Sequence, residues 1–219
     1  FPARYRDAFT PMQAVEDLEQ LSALVRTPRA PALEASVMRK EHDAPNVLRI
    51  KLYGLGTPLP LSVSLPIFEN FGLKAIAEDA YSIAFKGEDG AAIETFVLEF
   101  LMERTDQSPA ELAGIKRPLE TAFHAVMAGD TESDSFNKLV ICAGLQWRDV
   151  AILRAVAKYL RQAAIAFSQD YMEQAMTRNP DIAGLLIQLF HAVCGPDSAS
   201  AADAEKIIKR IELALGDVQ

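Results

Sequence analysis

Side chains that carry chemistry are scarce in these 219 residues, which hold two cysteines, three histidines and one tryptophan. Cys142 and Cys194 lie far apart in apolar helical surroundings and have neither the CxxC spacing of a redox pair nor that of a metal knuckle. Buried free thiols in a cytoplasmic protein are expected. His42, His124 and His191 form no HExxH pair, so no metal site is expected, and His124 and His191 read as hydrogen-bonded structural residues. No apolar run is long enough to span a membrane, and residues 1–10 are too charged for the hydrophobic region of a signal peptide. Excess positive charge is lacking too. With 22 basic against 30 acidic residues the net charge is −8, which opposes the phosphate neutralisation that nucleic-acid binding needs. Gly54 and Gly56 share the first spacing of GxGxxG, but no third glycine follows at the required distance, so no dinucleotide cradle and no bound cofactor are expected. An initiator methionine is absent, and Phe1-Pro2-Ala3-Arg4-Tyr5-Arg6 reads as the interior of a longer sequence.

What is present is a chain of ordinary globular composition, 50% hydrophobic and 24% charged. Thr10, Pro11 and Gln13 form a helix start with a capping box, and the helix should run to about residue 25. Val15, Leu18, Leu21 and Val25 recur at helical spacing as its core face, leaving Glu16, Asp17, Glu19 and Gln20 to solvent. After the breaker at residues 27–31 the period becomes two. Leu33, Ala35 and Val37 define one strand, and Leu48, Ile50 and Leu52 a second. A turn at residues 54–60 leads to a short helix that ends near Asn70 with Gly72 as its stop, and Pro66 is expected in its first turn. Two more strands, about 74–85 and 93–102, flank the polar turn 86–90. In the last strand Phe96, Leu98, Phe100 and Met102 face one way, with Val97, Glu99, Leu101 and Glu103 opposite. Beyond Pro109 only helices are expected, over 109–128, 135–145, 148–163, 169–178, 180–193 and 201–215. Ser200 with Asp203 should cap the last, and Gly195 and Gly216 should stop the last two.

The order α-β-β-α-β-β is what a ferredoxin-like unit becomes when its first strand moves to the end. It predicts an α+β fold, with a four-stranded antiparallel sheet covered on one face by two helices, and then an all-helical bundle. This ACT-like arrangement divides the chain into residues 1–105 and 106–219. In the helical part Arg154, Lys158 and Arg161 share one face of a helix, with Arg148 towards its start. Such a stripe is either solvated or an interface with carboxylates of a neighbouring domain, while Glu132, Asp134, Asp149 and Asp170 are local partners. Val150, Leu153, Val156, Ala157 and Leu160 make that helix's core face, and Trp147 should pin it to the preceding helix.

Asn137, Gly144, Leu145, Trp147-Arg148, Leu153-Arg154-Ala155, Tyr159-Leu160-Arg161-Gln162 and Ser168 to Tyr171 stand in an order that resembles the large bacterial-type NAD-specific glutamate dehydrogenases. A second block, IKLYG followed by PLPLS, LP, EN and GL, resembles the same family, and so does Phe1-Pro2-Ala3 with Tyr5. The resemblance implies a segment upstream of the catalytic domain, with no catalytic residues or cofactor of its own and NAD used by the full-length enzyme. Its partners would be other domains and subunits of a cytoplasmic homo-oligomer. It also implies that the turn from Gly54 and Gly56 to Ser62 lies where ACT modules seat an amino acid effector. There a helix N-terminus would attract a carboxylate, although Val63-Ser64 departs from the acidic residue the family pattern carries.

Overall fold

The computed structural model describes residues 1–27, 31–86, 91–195, 201–216 and 218. Contacts gather the chain into two compact units, Phe1–Thr131 and Glu132–Gln219. The boundary read from the sequence, near residue 105, differs by one helix. The breaker at 28–30, the turn at 87–90 and the Ser200 cap lie outside the described residues.

Among its described residues the first unit holds four antiparallel strands, β1 (Leu33–Met38), β2 (Val47–Leu55), β3 (Leu73–Lys86) and β4 (Ala92–Arg104), in the order β1-β2-β4-β3. Alternation in β4 divides the two faces as the sequence indicates. Phe68 of α3 (Leu61–Asn70) packs edge-on against Phe100 of β4, with centroids 5.2 Å apart, and stacks on Phe123 of α4 (Leu112–Ala128) at 5.1 Å. The opposite face carries Tyr53, Tyr81, Ile83 and Val97. It is closed by Tyr5 of α1 (Ala3–Ala8), by Phe9, and by Leu21 and Leu24 of α2 (Pro11–Arg26).

The sheet therefore lies between two helical layers, and the pair sharing a face is α3 with α4, not α2 with α3. Helix α4 packs against β1, which keeps it in the first unit. It also covers an edge strand. Lys116 Nζ donates to the Val37 carbonyl at 2.7 Å, and the Val37 amide donates to Glu120 Oε1 at 2.8 Å. An edge so occupied is withdrawn from pairing with another chain.

Helix α2 starts with the expected capping box. The Gln13 amide donates to Thr10 Oγ1, and the Thr10 amide to Gln13 Oε1. Its rotation differs from the expected one. Asp17, Leu21 and Leu24 are buried, while Val15 is 52% exposed and Leu18 39%. Helix α1 was not expected from the sequence, because its six residues are too few to show a period and only Tyr5 is buried. Pro66 also departs from expectation. Helix α3 begins at Leu61, so Pro66 stands at its sixth position, in the interior. In β3 a register shift between Ala75 and Ala77 leaves Ile76 out of the ladder and half-exposed.

The second unit is helical throughout its described residues. A 3-10 turn, Ser135–Lys138, runs into α5 (Leu139–Cys142), followed by α6 (Trp147–Gln162), α7 (Gln169–Arg178), α8 (Pro180–Cys194) and α9 (Ala201–Gly216). The single helix expected over 135–145 is shorter and is divided between the two turns, and Gly144 after it takes φ +64°, where glycine is favoured. Phe136, Leu139, Val140, Val150, Leu153 and Ile187 belong to its core. Gly195 follows α8 as expected.

Candidate functional site

At the ACT-type turn, Gly54 is the eighth residue of β2 and pairs with Phe96 of β4. The Phe96 ring lies where a Cβ on Gly54 would stand, with ring atoms 2.2 and 2.4 Å from that position. Close packing of an aromatic ring explains this glycine without a ligand. Gly56 takes φ +77° in open surroundings and donates its amide to the Glu94 carbonyl at 2.8 Å. Ser62 is exposed at the second position of α3. Ser64 is the serine tucked inside, with Oγ 3.5 Å from the Pro60 carbonyl. That carbonyl also accepts from the amides of Val63 and Ser64.

The basic stripe of α6 separates into four different situations. Arg154 is 4% exposed and forks onto Asp134, with Nε to Oδ2 at 2.7 Å and Nη2 to Oδ1 at 2.8 Å. Its Nη2 also reaches Asn137 Oδ1 at 2.7 Å. Lys158 pairs with Glu132 at the surface. Arg161 Nη1 reaches Gln169 Oε1 at 3.3 Å, and Arg148 stacks its guanidinium 4.4 Å from the Trp147 ring. The recess bounded by Phe136, Arg154, Gln169 and Met172 is too tight for a water molecule. Arg154 is therefore a core residue, and Val156, expected in the core, is 47% exposed. Of the other acidic candidates, Asp149 places Oδ1 2.7 Å from His191 Nε2.

Sequence reasoning missed the most heavily buried charged group. Asp17 accepts from Lys51 Nζ at 2.9 and 2.6 Å, from Tyr53 Oη at 2.7 Å and from Tyr5 Oη at 2.5 Å. Lys51 Nζ also lies 4.0 Å from the centre of the Phe9 ring. Burial, reinforced by Asp17, pushes the Tyr5 and Tyr53 phenols well above the usual tyrosine range. Every oxygen of Asp17 is used, so the arrangement fastens α1, α2 and β2 together. The alternation of β2, which puts Lys51 and Tyr53 on the face opposite Leu52, was the available signal.

Other expectations need adjusting. Cys142 is half-buried and Cys194 exposed, instead of both being buried. His191 is exposed, and His124 Nε2 is buried with no hydrogen-bond partner. Among the described residues, no group of three or more histidine, cysteine, aspartate or glutamate side chains could hold a metal, and no helix is long and apolar enough to cross a membrane.

Three family models match in succession along this framework. They are glutamate dehydrogenase helical motif 2 over residues 1–24, the glutamate dehydrogenase ACT3 domain over 32–113, and glutamate dehydrogenase helical motif 3 over 131–196. The NAD-specific glutamate dehydrogenase of Halomonas elongata is 33% identical across the whole chain, and that of Pseudomonas aeruginosa 37% identical over 87% of it. The Mycobacterium tuberculosis enzyme is 30% identical over 94%. The chain belongs to the NAD-specific glutamate dehydrogenase family. It spans only 11–13% of the length of these glutamate dehydrogenases. The ACT3 match encloses all four strands and α3, while the helical motif 3 match begins one residue before the second unit of this glutamate dehydrogenase segment.

Proposed function

We propose that this chain is a non-catalytic assembly and regulatory segment of an NAD-specific glutamate dehydrogenase. The full-length enzyme would convert glutamate, NAD and water to 2-oxoglutarate, ammonium and NADH, with the NAD site and the catalytic residues elsewhere in the polypeptide. The observation that carries this reading is the succession of matches, helical motif, ACT3 domain, helical motif, which together run through most of the chain. The chemistry of the buried charges supports it. Asp17 and Arg154 are each consumed by structural partners in packed surroundings, and a group so occupied is not free to exchange protons with a substrate.

The test removes residues 1–219 from the full-length enzyme and measures subunit count by mass photometry alongside glutamate-dependent NAD reduction. The chain alone is expected to reduce no NAD, and the deletion to lower subunit count and turnover together. Turnover by the isolated chain, or unchanged assembly and turnover after deletion, overturns the reading. An amino-acid-sensing module is the alternative. It has less behind it, because Phe96 accounts for Gly54. It predicts that a saturating amino acid raises the melting temperature of the chain by roughly 5–10 °C.

A further inference from the structure

Between α6 and α7 the chain exposes an uninterrupted apolar run. Residues 163–167, Ala-Ala-Ile-Ala-Phe, are all exposed, and no charged side chain occurs over 162–169. Bonds from the Ala164 amide to the Arg161 carbonyl and from the Ile165 amide to the Leu160 carbonyl fold the run back onto the end of α6. Val156 and Tyr159, three residues apart on that helix, are both exposed, Tyr159 by 68%. At the other end Phe167 stacks on Tyr171, with centroids 4.8 Å apart and both rings more than half exposed. Ala164 holds φ +62°, a left-handed conformation that is costly for a residue with a Cβ. Several consecutive exposed apolar residues are a defect on a free surface unless a function uses them. Aromatic residues and arginine are enriched at interface centres, and Arg161 stands two residues before the run.

We infer that this surface docks an apolar helix or strand that bears a carboxylate and belongs to the enzyme polypeptide outside this chain. Two observations select that occupant. In the relatives, the matched segment is 11–13% of the polypeptide, so most of the surface available to cover it lies elsewhere. The border of the apolar surface is also cationic. Arg161 reaches Gln169 and meets no carboxylate among the described residues, in a chain whose net charge is −8. A partner carboxylate at that border would supply the missing charge as a fork-shaped pair. A second copy of the same face would bring Arg161 towards its own equivalent across a two-fold axis, which suits it less well. The inference rests on the chain being a segment of the larger enzyme.

Hydroxyl-radical footprinting compares the chain alone with the full-length enzyme. Tyr159, Phe167 and Tyr171 are expected to oxidise readily in the chain and several-fold more slowly in the enzyme. Replacing Phe167 with p-benzoylphenylalanine in the full-length enzyme, followed by irradiation, should capture a peptide from outside this segment that carries an aspartate or glutamate. Unchanged oxidation, capture of the same segment from a second subunit, or capture of a peptide lacking a carboxylate overturns the inference. The wider reading fails differently, through a deletion that leaves assembly and turnover intact whatever the footprint.

Discussion

Asp17 and Lys51 meet at 2.6 Å with both side chains 1% exposed, so α2 is fastened to β2 by an ion pair beyond the reach of water. Removing one partner strands the other charge. Lys51→Met is therefore expected to cost about 3–5 kcal/mol, whereas Asp17→Leu with Lys51→Met should cost less than the two single changes together. Tyr5→Phe and Tyr53→Phe each remove a hydrogen bond to a charged acceptor and should cost about 1.5–3 kcal/mol. Urea unfolding of the four single variants and the double variant checks the series, and additivity of the two charge changes would count against a coupled pair.

The same ion pair explains what was hidden in the sequence. The strands were legible because alternation in β2 and β4 is set by one apolar face, and Phe96, Leu98, Phe100 and Met102 do line it. The phase of α2 was not legible. Periodicity favoured Val15 and Leu18 inward, but hydrogen bonds from Lys51, Tyr53 and Tyr5 draw Asp17 in and turn the helix. Likewise Arg154 was visible as part of a stripe, while its burial depends on Asp134 and Asn137, which lie in the turn before α5. Gly54 read as a turn residue because nothing local reveals that Phe96, 42 positions away, lies over it.

The rotation of α2 makes a contrast that can be measured directly. Val15→Ser and Leu18→Ser should change stability by no more than about 0.5 kcal/mol, since both side chains already face solvent. Leu21→Ala and Leu24→Ala should each cost about 2–5 kcal/mol through the cavity they leave. A large loss from the first pair would restore the phase read from periodicity.

Gly54→Ala places a methyl group against the Phe96 ring, which must move. The expected cost is about 1–3 kcal/mol by overpacking. Gly54→Ala combined with Phe96→Leu should recover part of it, because the obstruction is the ring. If Gly54 served a ligand and not the packing, the second change would bring no recovery in thermal unfolding.

Stability should fall at both ends of the pH range. Burial pushes the Asp43 carboxyl up, but hydrogen bonds from Arg49 and the Lys40 amide outweigh it and hold the group below the usual range. Asp106 is held low chiefly by Arg104, helped by the Ser108 amide. Carboxyls lowered on folding stabilise fully above their unfolded pKa, about 4, and this contribution is lost as pH falls through the folded value. The urea midpoint should therefore drop below about pH 4, less steeply in Asp43→Asn and Asp106→Asn. The raised phenols of Tyr5 and Tyr53 act in the opposite sense. Their contribution is complete below the unfolded tyrosine value and declines above about pH 10, with a shallower decline in Tyr53→Phe.

Arg154 and Arg161 stand seven residues apart on one helix, and the structure gives them opposite roles. Arg154→Met leaves Asp134 with its negative charge and Asn137 without a donor, so about 3–5 kcal/mol should be lost from the helical unit. Arg154→Lys keeps the charge but not the two-pronged geometry, and it should recover only part of that loss. Arg161→Glu touches only an exposed contact with Gln169 and should leave unfolding of the chain unchanged within about 0.5 kcal/mol. In the full-length enzyme, however, it should weaken association, because Arg161 adjoins the exposed apolar run that begins at Ala163 and is placed to pair with a carboxylate. Trp147 fluorescence during urea unfolding separates the stability effects, and mass photometry reads the association. If Arg154→Met unfolds no more easily than Arg161→Glu, the buried fork is not what holds α6 in place.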